Sequence, residues 1–321
     1  MAARETIGDY KKGDRLNTDS IGESLPPEAA ELRGILRSSE VEGANKTRRD
    51  FSQRAGSYKD QSRVLAAVIV GGSGIAALAS GLLLYGQERT DAAVAGGLLD
   101  FATKYQLGII VVQIVALLAA TAATTIVSGR DYGKLWTEAR RKAELGRTEI
   151  MNGIFAKVQE RPGTGPNSLL AQFLQLFVRY QLDLQIDYYV TEAKGAERSS
   201  TFWLYLSAAF SGLAAVIGMI GGLSIPGALV LAAFLGVATP IVLSALQSWV
   251  TATQPEAKAA SYRSAEEELR RLRRSLDTVR AAAAAGDTTK VKLFVDSTQA
   301  IMAAENGEFV GLGKLELQTD E

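Results

Sequence analysis

The stretch that decides the fold runs from Ser199 to Pro255, SSTFWLYLSAAFSGLAAVIGMIGGLSIPGALVLAAFLGVATPIVLSALQSWVTATQP, 57 residues without an Asp, Glu, Lys or Arg. A helix rises about 1.5 Å per residue, so a bilayer core about 30 Å thick takes about 20 residues. The stretch is too long for one crossing and fits two, at about 202–222 and 228–250, joined by the tight Ser224-Ile225-Pro226-Gly227 connection. Working outward, Val64–Gly86 holds 23 residues without charge and Tyr105–Gly129 holds 25, giving two more spans at 64–86 and 107–128. Buried helices of a soluble all-α protein are the alternative, but these usually keep one polar face and are shorter than about 20 residues. The expected fold is therefore all-α: a polytopic membrane protein with two transmembrane helical hairpins, four spans in all, and a cytoplasmic layer of amphipathic helices.

Composition removes several chemistries. The chain has 321 residues, 35 Lys+Arg against 35 Asp+Glu, no Cys and no His. Thiolate and imidazole metal sites, disulfides and histidine general bases are excluded. Zero net charge argues against non-specific nucleic-acid binding, which needs a basic surplus. The charges instead set orientation. Lys46, Arg48, Arg49, Arg54, Lys59 and Arg63 precede the first span, whereas the 87–106 loop has only Arg89 and Lys104 against Glu88, Asp91 and Asp100. The 130–201 and 258–280 segments are again basic. By the positive-inside rule both termini and the middle are cytoplasmic, which predicts a multi-pass protein of the plasma (inner) membrane. Tyr85 and Tyr105 at outer ends, with Phe202, Trp203 and Trp249 at inner ends, are the expected interface anchors. The first 60 residues contain no apolar h-region, so no secretory signal peptide is expected.

Along the chain, residues 1–45 read as a mostly disordered arm, with one short helix after Pro26-Pro27 carrying Leu32, Ile35 and Leu36. Residues 46–160 form a first two-span repeat that ends in a charged helix over Tyr132–Lys157. Arg161-Pro162-Gly163-Thr164-Gly165-Pro166 is a Pro/Gly linker. Residues 167–310 form a second two-span repeat, and 311–321 a flexible tail. Leu169, Phe173, Leu176, Phe177, Tyr180 and Leu184 recur at helical spacing before the third span. After the fourth, Ala265, Leu269, Leu272, Leu276 and Val279 repeat 4-3-4-3 as a short seam, either a coiled coil or one face of a helical bundle. A last amphipathic helix is expected at 289–305.

The two halves share one plan: a polar helix, a membrane hairpin, and a charged helix opening with an aromatic residue. Tyr58 and Trp136 bracket the first hairpin at a separation of 78 residues, and Tyr188 and Tyr262 the second at 74. Trp136-Thr-Glu-Ala139 lines up with Tyr262-Arg-Ser-Ala265, which suggests an internal duplication. The order Tyr188…Ala193…Arg198, apolar hairpin, Tyr262-Arg-Ser-Ala265-Glu266…Leu269-Arg-Arg-Leu272, Phe294-Val295 and Glu305 resembles the SLATT domains, two-helix membrane modules of bacterial nucleotide-based defence. The first half looks like a second, more divergent copy. The resemblance implies a pore-forming or membrane-disrupting effector, released by a partner protein that senses or makes a nucleotide signal.

Other constellations carry less. Small residues recur every fourth position, with Ser73, Ala77 and Gly81 in the first span and Ala116, Ala120, Thr124 and Ser128 in the second, and mark close helix–helix contact. Gln113, Thr121, Thr124 and Thr125 make the second span the most polar, either as pore lining or through interhelical and own-turn hydrogen bonds. Pro240 kinks the fourth span. Gly71-Gly72-Ser73-Gly74 lacks the Lys-Ser/Thr of a phosphate loop. Without imidazole no Ser or Tyr is activated, so no enzyme, no catalytic residue, no metal and no cofactor are expected. The functional expectation is a gated pore or membrane-perturbing effector that self-associates in the lipid bilayer. A membrane-anchored oligomeric scaffold without conduction is one alternative, and a small transporter another, against which stands the lack of ionisable residues in the spans.

Overall fold

The computed structural model describes Lys11, residues 16–87 and 104–221, Thr239, Leu243, Gln247, Val250 and residues 254–317. Among the described residues there are helices and no strand: α1 (Thr18–Ser24), a 3-10 turn (Pro27–Ala29), α2 (Ala30–Leu36), α3 (Ser39–Gln87), α4 (Gln106–Gly129) and α5 (Tyr132–Glu160). Then follow α6 (Leu169–Phe177), a π-helix (Val178–Asp183), α7 (Leu184–Gly221), α8 (Pro255–Arg273), α9 (Leu276–Ala284) and α10 (Thr288–Leu317). The chain divides into two units, one drawn from Met1–Tyr58, Gly133–Gly195 and Ala257–Glu321, the other from Lys59–Tyr132 and Ala196–Glu256.

The first, a helical unit, has one apolar core. Eight of the nine residues of α6 are buried, and α5 turns Ile150, Met151, Ile154, Phe155 and Val158 inward at spacings of three and four. Phe155, Phe173, Phe177 and Phe294 form a ladder with ring centroids 5.2, 6.1 and 6.3 Å apart. Residues 16–45 differ from the expectation of a mostly disordered arm. Leu16, Ile21, Leu25, Ala29, Leu32, Leu36 and Val41 are buried in this core. The Asn17 side chain caps α1 by accepting from the Asp19 N–H at 3.3 Å, and Arg33 donates to the Gly22 and Leu25 carbonyls at 3.0 and 2.6 Å. The short helix expected after Pro26-Pro27 is α2, and with α1 and the 3-10 turn it brings these sparse apolar residues into the core.

The linker places Gly163 and Gly165 in the left-handed region, φ +63° and +104°, and the Gly165 N–H donates to the Ala284 carbonyl at 2.7 Å. The seam residues Ala265, Leu269, Leu276 and Val279 are buried and Leu272 is partly buried against the same core. The helix breaks at Arg274–Ser275, where the Ser275 N–H and hydroxyl both bond to the Leu272 carbonyl, so the five residues face a bundle across two helices.

In the second, apolar unit, two described helices are long and apolar enough to cross a membrane, within Ser39–Leu83 and Gln106–Val127. Only 17% of each apolar window is buried by the chain itself, which fits membrane insertion. Leu107, Val115 and Leu118 of α4 are 77, 60 and 64% exposed. α7 continues through the expected third span to Gly221 with Leu204, Tyr205 and Met219 outward. The Ser200 hydroxyl donates to Glu256 at 3.0 Å. Most of the expected fourth span, with Pro240 and Trp249, and the side chain of Tyr85 lie outside the described residues.

Candidate functional site

Within the apolar unit α3 and α4 approach closely. A Cβ on Gly72 would stand 2.8 Å from the Ala116 carbonyl oxygen and 3.1 Å from the Ala120 Cβ. Ala76, Ala79, Ala116, Ala120 and Ala123 are buried, so the contact stripe on α3 runs through Gly72 and Ala76, while Ser73 is exposed and Ala77 half-buried. The stripe on α4 is the expected one as far as Ala116 and Ala120; on α3 Gly81 is buried as expected, but Gly72 and Ala76 take the contact in place of Ser73 and Ala77, because the face is chosen by where the partner backbone sits. Gln113 donates from Nε2 to the Ser80 hydroxyl at 2.8 Å, and Ser80 donates to the Ala76 carbonyl at 2.9 Å. Thr124 and Thr125 each bond one turn back, to Ala120 and Thr121, at 2.9 Å. Thr121 is exposed. Three of the four polar side chains, Gln113, Thr124 and Thr125, thus make one interhelical bond and two local bonds. Of the aromatic anchors, Tyr105 is 48% exposed with Lys104 over its ring, and Trp203 stacks edge-on against Phe202 at 5.2 Å.

In the helical unit a polar cluster packs against the core, with Tyr188 at its exposed edge. Arg140 of α5 donates through Nη2 to both oxygens of Glu305 on α10, at 3.1 and 3.2 Å. Their side chains are 15 and 2% exposed. The Tyr189 hydroxyl donates to Glu305 Oε2 at 3.3 Å. Tyr188 and Tyr189 of α7 lie edge-on to each other at 5.4 Å, and both meet Tyr262 of α8, at 6.1 and 5.9 Å. Arg140 hydrogen-bonds Tyr262 and lies 5.7 Å over the Trp136 ring, one turn earlier on α5. Four helices therefore converge on one guanidinium and one carboxylate.

Burial sets the electrostatics. It pulls the Arg140 pKa down, but the attraction of Tyr188, Glu305, Tyr262 and Glu144 outweighs it and holds the guanidinium above its ordinary value. Glu305 is pushed above the usual carboxylate range by burial, with Glu144 adding to it and Arg140 only partly opposing. Burial also raises Tyr188, Tyr189 and Tyr262, so all three phenols stay protonated. Nearby, Arg48 of α3 is lowered to about 10 by burial and by Arg147, and it donates to the Leu16 carbonyl and to Asn45. A Cβ on Gly146 would meet the Arg48 Cβ at 3.1 Å, which shows how tightly α3 and α5 pack there. Among the described residues no three Asp or Glu side chains gather as a metal site requires.

Several residues that carried the sequence resemblance meet here. Tyr188, Tyr262 and Glu305 belong to the cluster itself, and Ala193, Ala265, Leu269, Phe294 and Val295 are buried in the helical unit. Neither Arg140 nor Tyr189 stands out in the sequence. Arg140 sits among Lys134, Arg141, Lys142 and Arg147 on a charged helix and looks like solvated surface. Its one distinguishing signal is Trp136 a turn before it.

Comparison with known proteins adds one finding. Searches of curated proteins and of solved structures found no match. Residues 177–308, which contain Tyr188, Tyr262, Glu305 and the whole charge-free stretch from Ser199 to Pro255, match the model of a two-transmembrane effector family described as SMODS and SLOG-associating 2TM effector domain 1.

Proposed function

We propose that the protein is a membrane effector of a nucleotide-signal-linked bacterial defence system, forming a pore or otherwise perturbing the bilayer, with its helical unit controlling the spans. The observation that carries this is the match over 177–308 to a two-transmembrane effector domain. The 57-residue uncharged stretch lies inside that match and is long enough for two crossings. In this reading the first half is a divergent second copy. It is supported by the unit boundaries, which fall at Tyr58 and Tyr132 around the first hairpin and at Gly195 and Glu256 around the second. Both termini and the helical unit face the cytoplasm, the chain self-associates in the plasma membrane, and a nucleotide-sensing or nucleotide-synthesising protein supplies the signal. The Arg140–Glu305 clasp holds α5, α7, α8 and α10 together in the resting state, and the signal changes that packing and biases the spans toward an open arrangement. Expression in bacteria with a membrane-potential dye tests it. Depolarisation on co-expression of the activating partner is expected, and its absence under every candidate partner overturns the reading.

One observation favours a second reading, a membrane-anchored oligomeric scaffold that conducts nothing: Gln113 is engaged by Ser80, and Thr124 and Thr125 by their own helix. Replacing Gln113, Thr121 and Thr124 together by Leu separates the two. An anchor keeps its activity, whereas a conduction path lined by these groups loses it.

A further inference from the structure

The chain enters α7 through the π-helix Val178–Asp183, in the interior of the helical unit. A π turn spaces its hydrogen bonds five residues apart instead of four, so it accommodates a residue that an α-helix would not, and such turns are rare and concentrated at functional positions. Here Val178, Tyr180, Gln181 and Leu182 are all buried. Gln181 is completely enclosed, yet its amide nitrogen reaches only the Met302 sulfur at 3.5 Å, a weak acceptor, and its Oε1 has no partner. A buried, half-satisfied amide in an uncommon backbone form marks a locally costly arrangement in an otherwise well-packed core. The flanks are fixed differently. Upstream, Phe177 is locked against Phe173 and Phe294. Downstream, Asp183 is held by Arg273 at 2.6 and 3.2 Å through a pair whose arginine is half exposed.

We propose that Val178–Asp183 is a register-shift joint, at which α7 advances or retracts by one residue while α6 stays in place. One residue along a helix is roughly 1.5 Å of travel and roughly 100° of rotation. Such a step carries Tyr188 and Tyr189, in the second turn of α7, away from Tyr262 and Glu305, and is passed along the same continuous helix to Gly221. The joint deepens the gating reading and rests on it for its biological meaning, so its test uses a readout that does not involve ion flux.

Hydrogen–deuterium exchange of the full-length chain in nanodiscs, followed by mass spectrometry, provides that readout. In the wild type the amides of 178–190 are expected to exchange at least about tenfold faster than those of 169–177, because the joint opens locally while α6 does not. Deleting Arg179, which brings the segment to α-helical length, and separately Gln181→Leu, which removes the orphaned carbonyl, should each slow exchange in 178–190 by about tenfold with 169–177 unchanged. Deleting Glu197 from the regular part of α7 should instead lower the melting temperature. Exchange in 178–190 as slow as in α6, no slowing in Gln181→Leu, or unfolding by the Arg179 deletion as severe as by the Glu197 deletion overturns the joint. A chain that passes this test but never depolarises a membrane keeps the joint and loses the effector reading.

Discussion

Arg140→Leu leaves the Glu305 carboxylate in a site where its side chain is 2% exposed and only the Tyr189 hydroxyl remains to bond it. The group then escapes by taking up a proton, and the cost of doing so at pH 7, starting from an ordinary value of 4.5, is about 3.4 kcal/mol at about 1.36 kcal/mol per pH unit. Direct removal of one partner of a buried pair generally costs about 3–5 kcal/mol, so the lower end applies. For a unit of this size about 1 kcal/mol moves the melting temperature by about 2–4 °C, giving an expected fall of about 6–14 °C. The double variant Arg140→Leu with Glu305→Leu removes the charge rather than orphaning it and should lie within about 1 kcal/mol of the wild type. Thermal unfolding in detergent, monitored by fluorescence near Trp136, reads all three proteins. A single variant as stable as the wild type, or a double variant as unstable as the single, refutes the claim that this pair is enclosed and mutually compensating.

The same pair predicts a pH dependence. Because the Glu305 pKa is raised on folding, the folded chain holds that proton more tightly than the unfolded one, so this group's contribution to stability falls as pH rises from about 4.5 through its folded value. Melting temperatures measured across that range should show this slope in the wild type and lack it in Glu305→Gln. In the apolar unit, Gly72→Val should weaken hairpin packing by about 1–3 kcal/mol, since even a Cβ meets the Ala116 carbonyl at 2.8 Å, while Gly74→Ala, with nothing within 4 Å, should leave it unchanged or slightly firmer. Comparing the two in a denaturation series in detergent checks the stripe, and equal behaviour removes it.

What could be read in advance was whatever is local. A run of uncharged residues longer than a bilayer core has to be helical, because backbone groups in lipid find partners only within their own helix. Hence the apolar parts of α3, α4 and α7 are legible as helices in composition alone. The Pro/Gly linker was legible for a similar reason, since Gly163 and Gly165 take backbone angles other residues resist. The seam was legible as a face, but not as two helices, because the break at Arg274–Ser275 leaves the apolar spacing intact.

Tertiary structure decided the rest. Arg140 and Glu305 are 165 residues apart, and no periodicity in the sequence pairs them. Burial beside a partner is a property of packing, not of the residue. For the same reason the arm from Leu16 to Val41 became core, and the contact on α3 fell on Gly72 rather than Ser73. The sequence determined which segments are long and apolar enough to cross a membrane, because transfer free energy depends on each residue's own chemistry. Only the fold determined which charged and aromatic groups meet, because that depends on where separate helices bring their faces together.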